Sequence, residues 1–326
     1  HPSDWPESPY IETRVIPWPR LWTHMRLATE LIRQPPDVLF VPSHVLPIYC
    51  PVPAVVTIHD LGYYHYPEAH RAFDRWYLDW TTRRHGRVAQ QVIADSLATK
   101  EDLIAAYQTD AARINVVYLG RDETLTRVTD PHLIAMTKTR YQIDGDYLLY
   151  VGTLHPRKNL TRLVEAYHRA LQSQQSASVK LVIAGKRGWL YNDIFERIQQ
   201  LGLTEQVIFP GYITDQDKTA LLSGALGYVF PSLYEGFGLP VLEAMACGVP
   251  VLTSNTSSLP EVAGEAALLV DPHNIEEIAD ALGQLMIDSE VRQQLVNQGY
   301  QQLQAFSWAK AAEQILTVLE RVANQP

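Results

Sequence analysis

The chain has 326 residues, 46% of them hydrophobic, and a formal net charge of −9 at pH 7. This length predicts two domains, and the acidic balance argues against nucleic acid as the main partner and against strong electrostatic attachment to an anionic membrane. Since no apolar run approaches the roughly 20 residues of a membrane span and no signal peptide is visible, we expect a cytoplasmic protein. Peripheral association with the inner face of the membrane stays open.

The first 140 residues have the pattern of an α/β domain. After a proline-rich start, helices are predicted over 21–33, about 68–90 and 97–107. Short apolar runs predict strands at 37–41, 54–58, 92–94 and 114–118. Such runs, alternating with helices, predict a parallel, doubly wound sheet covered on both faces.

Residues 121–140 are polar and mixed, which predicts a connector with a helix near 131–140. A second α/β series follows, with strands predicted at 147–151, 180–184, 206–209, 228–230, 251–253 and 267–270. Later helices are predicted at about 275–287, at 290–305, and from an N-cap at Ser307 to about 323. We therefore expect a first domain at 1–140, a second at 141–306, and a final helix within 307–326.

Glycine is distributed unevenly between the two predicted domains. Only Gly62, Gly86 and Gly120 precede residue 140, and the other fourteen glycines follow it. The second domain is therefore expected to hold the phosphate-binding turns, because the first lacks the Gly-rich loop that such sheets often place after their first strand. The chain begins with His1 rather than methionine, so we expect a fragment or a processed product.

The most informative stretch is FPSLYEGFGLPVLEAMACGVP at 230–250. A predicted strand ends at the start of this stretch. A Gly-rich turn follows, and a helix is predicted to start near Leu239. The backbone amides of Phe237, Gly238 and Leu239 are therefore expected to be free at a helix N-terminus, where anionic groups bind readily.

Two carboxylates, Glu235 and Glu243, bracket this turn. A pair of carboxylates with a suitable gap can act as acid and base, as in glycosidases, but spacing in sequence does not fix spacing in space. The simpler role is hydrogen bonding to hydroxyl groups. For Glu243, stabilisation of the helix N-terminus, worth about 0.3–1 kcal/mol, explains the residue equally well. Amides for phosphate beside carboxylates for hydroxyls favour a sugar nucleotide over a plain nucleotide.

Three further loops follow strands that are expected to end at the same edge of the second sheet. These loops are 152–159, 185–188 and 210–212. The first contains Arg157 and Lys158, just before a helix that Asn159 is expected to cap. Alone, the two cations would be explained as an exposed pair at a helix entry. Beside a Gly-rich turn, they favour diphosphate binding.

His59 and Asp60 follow the predicted strand at 54–58. A ligand-facing pair and a satisfied histidine followed by a turn are equally well indicated there. The eleven histidines do not cluster as metal ligands do, so no metal site is predicted. The acidic turn at 144–146 precedes a strand and is expected to be a solvated turn at the opposite edge of the sheet.

Taken together, these motifs resemble those of the retaining glycosyltransferases of family 4. The matching pieces are TIHD at 57–60, VGTLHPRKNL at 151–160, AGKRG at 184–188, FPGYITD at 209–215, PSLYEGFGLPVLEAMACGVPV at 231–251, SSLPEVAGEAALLVDP at 257–272 and FSW at 306–308. The resemblance implies the GT-B fold, with two Rossmann-like, doubly wound parallel-sheet domains facing a cleft and a last helix that crosses back to the first. Family members usually open with a strand and a Gly-rich loop that nothing here matches, so the N-terminal domain is expected to be truncated.

The resemblance also implies roles for the motif residues of the second domain. The E-x7-E motif of the family falls on Glu235, which would contact hydroxyls of the donor sugar, and on Glu243, which would contact the donor ribose. Gly152 begins the phosphate loop. Lys158, together with Arg157, would neutralise the leaving diphosphate.

Further roles follow in the same way. The amides of Phe237, Gly238 and Leu239 would hold the diphosphate, and Gly211 would lie in the loop that lines the base pocket. His59 matches a histidine of the first domain near the reacting sugar. Thr153 stands where many relatives have arginine, and Arg157 is expected to supply that charge instead.

The implied activity is that of a retaining, metal-independent hexosyltransferase without a cofactor. It would move a hexose from a UDP- or GDP-sugar to a hydroxyl of a glycan or glycolipid, with mannose favoured by similarity to bacterial mannosyltransferases of polysaccharide assembly. The alternative is a catalytically incomplete nucleotide-sugar-binding module or partner subunit. An epimerase or a phosphorylase on a similar architecture is a third reading. The sequence does not determine the base, the acceptor, the linkage or the oligomeric state.

Overall fold

The computed structural model describes residues 9–15, 23–43, 45–174, 179–186, 188 and 192–324. In these ranges the chain forms two parallel sheets, one of four strands and one of six. The predicted pair of α/β domains is therefore confirmed. None of the helices in this part of the chain is long and apolar enough to cross a membrane.

The first sheet has the order β1-β2-β3-β4, with every pairing parallel. Its strands are β1 (Leu39–Val41), β2 (Ala54–Ile58), β3 (Gln91–Ala94) and β4 (Ile114–Val116). Its helices are α1 (Ala28–Arg33), α2 (Gly62–His65), α3 (Ala72–Val88) and α4 (Leu97–Tyr107). Strand β2 is buried along its whole length, as expected for a central strand covered on both faces.

Four predicted elements of the first domain differ from the structure by two residues or more. The strand predicted at 37–41 begins two residues later, at Leu39. The helix predicted at 21–33 is a π-helical turn, Thr23–Leu27, followed by α1. Residues 21–22 lie outside the described part. The helix predicted at 68–90 begins later, after a short 3-10 turn at Pro67–Ala69. Strand β4 ends two residues before its predicted end, and the Tyr118 ring beyond it packs against Phe237 and Phe306 of the second domain.

The second sheet has the order β10-β9-β8-β5-β6-β7. Its strands are β5 (Tyr147–Val151), β6 (Lys180–Ala184), β7 (Val207–Gly211), β8 (Gly227–Phe230), β9 (Val251–Ser254) and β10 (Ala267–Val270). Its helices are α5 (Pro131–Arg140), α6 (Leu160–Gln174), α7 (Asn192–Gln200), α8 (Asp215–Ser223), α9 (Leu239–Ala246), α10 (Leu259–Ala263), α11 (Ile275–Ile287) and α12 (Ser289–Gln302). From β5 the chain builds outward through β6 and β7, and then returns to β8 on the other side. The strand order thus reverses between β5 and β8, the place where open α/β sheets leave a ligand crevice.

The last helix, α13 (Trp308–Ala323), packs on the first sheet rather than the second. Its Ala311, Val318 and Val322 share a buried cluster with Val55 of β2 and Ile93 of β3. The two domains are therefore joined by this helix as well as by the connector before α5.

The carboxyl ends of the two sheets face each other. The carbonyl oxygen of His59, just after β2, lies so close to Gly236, after β8, that a Cβ there would be 2.2 Å from it. Glycine at 236 is needed because the backbone of the other domain occupies the space of a side chain.

Glu261 makes a second contact between the domains. Its carboxylate accepts hydrogen bonds from the backbone amides of Leu97 (2.8 Å) and Ala98 (3.0 Å), at the start of α4. A carboxylate is favoured there by the unpaired amides and the positive end of the helix dipole. Burial, together with a hydrogen bond to Glu261, raises the pKa of Tyr118 to about 12.

Glu261→Ala is expected to loosen the closed arrangement of the two domains. The variant removes a charged acceptor from two amides, and a hydrogen bond to a charged group contributes about 1.5–3 kcal/mol. Small-angle X-ray scattering should show a larger radius of gyration. Glu265→Ala, an exposed residue on the same segment, is the matched control and should scatter like the wild type. An unchanged curve for Glu261→Ala would show that the other contacts suffice to hold the domains together.

Candidate active site

Three of the four loops singled out in the sequence meet at one edge of the second sheet. The amide of Gly152 donates to the carbonyl of Ala184 (2.9 Å), and the amide of Gly185 donates to the carbonyl of Gly211 (2.8 Å). Gly185 has a φ of +147°, and a Cβ on it would lie 1.8 Å from the Gly152 oxygen. Only glycine allows this approach. Arg187, in the second of these loops, lies outside the described residues.

The fourth loop, between β8 and α9, is held in place by two serines. Ser257 accepts a hydrogen bond from the amide of Glu235 (3.0 Å). The hydroxyl of Ser258 lies 3.0 Å from the carbonyl oxygen of Glu235 and 2.6 Å from that of Phe237. These serines belong to the quoted motif at 257–272, but the sequence analysis gave them no role. They fix the backbone on which the candidate residues stand.

The predicted helix start at Leu239 is confirmed, with Gly238 as the N-cap at a φ of +119°. No hydrogen bond among the described residues uses the backbone amides of Phe237, Gly238 or Leu239. Three donors therefore remain available at the N-terminus of α9, beside the loops that follow β5 and β8. Such a group of amides suits an anionic ligand.

Lys158, Arg157 and Glu235 form one cluster beside these amides. The Nζ atom of Lys158 lies 2.5 Å from Oε1 of Glu235, and Nη2 of Arg157 lies 4.0 Å from Oε2. The hydroxyl of Ser232 donates to the same Oε1 atom. Lys158 is largely buried and also lies over the Phe230 ring, 4.8 Å from its centroid. Burial lowers the pKa of Lys158, against the opposing attraction of Glu235.

The local fold explains why these cations point inward. Pro156–Lys158 form a 3-10 turn, and α6 begins at Leu160. Asn159 between them has a φ of +61°. Its side-chain amide donates to the carbonyl of Pro272 (2.6 Å), while its oxygen accepts from Arg162 (3.0 Å). Asn159 therefore ties the turn to the segment after β10, an arrangement that the predicted capping role did not include.

Glu243 lies in the second turn of α9, and its first turn contains no acidic residue. Stabilisation of the helix N-terminus is therefore not the explanation of this residue, because that effect is confined to the first turn. Glu243 instead accepts a hydrogen bond from Nζ of Lys218 in α8 (3.0 Å). Lys218 was missed in the sequence because nothing in its spacing links α8 to α9.

Gly211 ends β7 with a φ of +79°. The next residue, Tyr212, is 61% exposed, and Nζ of Lys186 lies 4.9 Å from its ring centroid. An exposed ring backed by a cation at this edge offers a flat surface to a planar ligand group. This placement is compatible with the predicted base pocket.

His59 is held from both ring nitrogens. Nδ1 lies 2.6 Å from Oδ2 of the buried Asp95, and Nε2 lies 3.0 Å from the carbonyl oxygen of Pro42. Because both partners accept hydrogen bonds, they favour the doubly protonated ring, and the bond to Asp95 raises the pKa of His59. Asp60 accepts a hydrogen bond from the amide of Gly62 (2.7 Å). It therefore forms the turn that was expected if His59 is a satisfied histidine.

Tyr234, next to Glu235, joins the two domains across the cleft. Its hydroxyl donates to Asp102 (2.7 Å) and accepts from the amide of Leu61 (3.0 Å). The His65 ring stacks on it at 4.7 Å between centroids. The sequence could not indicate this group, because Asp102 lies on a helix of the other domain. Among the residues that the structure describes, no group of His, Cys, Asp and Glu side chains is arranged to hold a metal ion.

Two family models match the chain. "Glycosyl transferases group 1" covers residues 137–302, and "Glycosyltransferase Family 4" covers residues 4–125. The chain is 34% identical over 265 residues to the O-antigen chain mannosyltransferase B of Escherichia coli, covering 81% of this chain and 69% of that protein. It is 28% identical over 252 residues to an MMP alpha-(1->4)-mannosyltransferase of Mycolicibacterium hassiacum, covering 76% of this chain and 58% of that protein.

Solved structures agree on the fold. The Anabaena protein HepE, in complex with UDP and glucose, matches with a TM-score of 0.75 at 20% identity, over 94% of this chain and 84% of that one. The sucrose-phosphate synthase of Thermosynechococcus elongatus matches with a TM-score of 0.67 at 26% identity, over 84% and 69%. These likenesses confirm the predicted GT-B fold.

Proposed function

Because this chain belongs to the group 1 glycosyltransferases, we propose that it moves a hexose from a nucleotide-diphosphate sugar to a hydroxyl of a glycan or glycolipid. Mannose is the first candidate for the hexose, since relatives from two bacteria are mannosyltransferases. The donor is a UDP- or GDP-sugar, and the structurally similar HepE was solved with UDP and glucose.

One observation carries this proposal. Two cations, Lys158 and Arg157, converge on Glu235 beside the three unengaged amides of 237–239. The cations and amides suit a diphosphate, and the carboxylate suits sugar hydroxyls. All lie at the reversal of strand order, facing the first domain.

The reaction needs stabilisation of the charge that develops on the departing diphosphate. The bond between the anomeric carbon and the phosphate oxygen breaks, and a bond to the acceptor oxygen forms on the same face, which gives retention. The acceptor proton passes to the departing phosphate oxygen. Lys158, Arg157 and the amides at the start of α9 supply the electrostatic stabilisation, which is commonly the largest catalytic contribution. Glu235 orients the donor sugar, so these side chains carry the reaction without a cofactor or a metal.

The remaining residues have supporting roles in this proposal. Glu243, held by Lys218, binds the ribose, and Gly211 borders the base. His59 has both nitrogens engaged, so it contributes positive charge and position from the first domain rather than accepting a proton.

A transfer assay with defined donors tests the proposal. The purified chain is incubated with UDP-glucose, UDP-galactose or GDP-mannose and with mannose oligosaccharides as acceptors, and products are analysed by NMR. We expect one donor to be consumed, with a product that keeps the anomeric configuration of that donor and a rate unaffected by EDTA. Inversion would overturn the proposed stereochemistry, and loss of the rate in EDTA would overturn independence from metal. Donor binding by calorimetry without turnover would instead favour a binding module.

A further inference from the structure

A groove on the first domain lies outside the cleft and has no role in the proposed reaction. It is a cavity of about 370 Å³ between α2, the turn after it, and α3. We call it the α2–α3 groove, and its lining residues are Tyr63, Tyr64, Pro67, Arg75, Trp76 and Asp79.

Two aromatic rings of the groove are exposed. Trp76 is 60% exposed, and Tyr64 is 51% exposed. Large exposed aromatic rings mark interaction sites, because each leaves apolar surface in water that a partner can cover. The flat face of a pyranose ring carries C–H groups that pack on such rings, while its hydroxyls remain free to form hydrogen bonds.

The polar groups of the groove suit those hydroxyls. Tyr107 positions the Asp79 carboxylate, because its hydroxyl donates to Oδ1 (2.8 Å). The hydroxyl of Tyr107 also lies 3.1 Å from the hydroxyl of Tyr63. Nη2 of Arg83 lies 3.6 Å from the other carboxylate oxygen, Oδ2. A carboxylate has about four acceptor positions, so Asp79 can still accept further hydrogen bonds. No ion pair or side-chain hydrogen bond among the described residues uses the guanidinium of Arg75, which offers five donors. An acceptor and a free donor group therefore face the same exposed rings.

The groove is adjacent to the cleft. Only the short helix α2 lies between the groove and the cleft. Its Tyr63 and Tyr64 line the groove, and its His65 stacks on Tyr234 of the second domain. Tyr234 directly precedes Glu235. A chain molecule whose end enters the cleft would therefore pass over α2 to reach the groove.

We propose that the α2–α3 groove binds a sugar unit of the acceptor glycan, distant from the hydroxyl that reacts. The inference rests on the proposed function for the class of acceptor. An uncharged polyhydroxyl chain satisfies both the Asp79 carboxylate and the Arg75 guanidinium, and it covers the exposed rings.

Binding of mannose oligosaccharides of one to six units, measured by calorimetry without donor, tests this proposal. For the wild-type chain we expect affinity to rise once the oligosaccharide is long enough to reach the groove. Trp76→Ala should weaken binding of the long oligosaccharides about tenfold, or about 1.4 kcal/mol, and leave mannose binding unchanged. Arg75→Gln, at an exposed position, should weaken the same long oligosaccharides severalfold.

Tyr49→Ala is the matched control, since Tyr49 is also 60% exposed and lies outside the groove. Equal losses of oligosaccharide affinity in Tyr49→Ala and Trp76→Ala would overturn the proposal that the groove binds the glycan. An affinity that does not depend on the length of the oligosaccharide would overturn it too. A second arm uses vesicles with anionic lipid: loss of vesicle binding in Trp76→Ala with unchanged glycan binding would assign the surface to a membrane instead. Transfer to a monosaccharide without any length dependence would overturn the groove but leave the proposed function intact.

Discussion

Glu235→Gln is expected to reduce the turnover of sugar transfer on the order of 10²–10³-fold, the usual effect of removing one group that stabilises the transition state. The Glu235 side chain is only 11% exposed, and its carboxylate lies against Lys158, Arg157 and Ser232. Glutamine keeps the shape but loses the charge. The Lys158 cation then remains buried beside a neutral amide, and the donor sugar loses an anionic acceptor for its hydroxyls.

Initial rates at saturating donor and acceptor measure this change, and calorimetry measures donor affinity separately. Glu243→Gln is the informative comparison, because Glu243 is proposed to bind ribose and is paired with Lys218 rather than Lys158. We expect that variant to weaken donor binding with a much smaller effect on turnover. If both variants lower turnover equally while melting at the wild-type temperature, the proposed division between sugar and ribose is wrong.

The central strands were predictable from sequence because their burial is nearly complete. Strands at 54–58, 147–151 and 180–184 have the predicted bounds. In a parallel sheet covered on both faces, each strand must be a continuous apolar run, and such runs end abruptly at polar or glycine residues. The free amides at 237–239 were predictable for a related reason, since a helix N-terminus always leaves its first amides unpaired.

The partners across the cleft were not predictable. Asp102 accepts from Tyr234, Glu261 accepts from the start of α4, and the His59 carbonyl occupies the space that Gly236 leaves free. Each pair joins residues far apart in the chain, and its geometry depends on how the two domains meet. Sequence patterns report local periodicity, so they identified each partner's element without indicating the contact.

Lys158→Ala is expected to lower turnover on the order of 10²–10³-fold, corresponding to about 2.7–4 kcal/mol of transition-state stabilisation. The ammonium group is held within a largely buried cluster by Glu235 and by the face of Phe230. Burial lowers its pKa, so the protein opposes the charge that the proposed reaction needs. An arriving diphosphate would supply the missing negative charge and favour the protonated amine. The cation therefore matters most when charge on the departing phosphate is greatest, in the transition state.

Single-turnover rates and donor affinity separate this effect from simple binding. We expect the rate to fall far more than the affinity, because interactions that are stronger in the transition state than in the ground state change turnover. Lys310→Ala, an exposed lysine on α13, is the control for loss of a positive charge and should keep the wild-type rate. If Lys158→Ala weakens donor binding but turns over at the wild-type rate once saturated, Lys158 only binds the donor. Arg157 and the amides of α9 must then stabilise the leaving group without it.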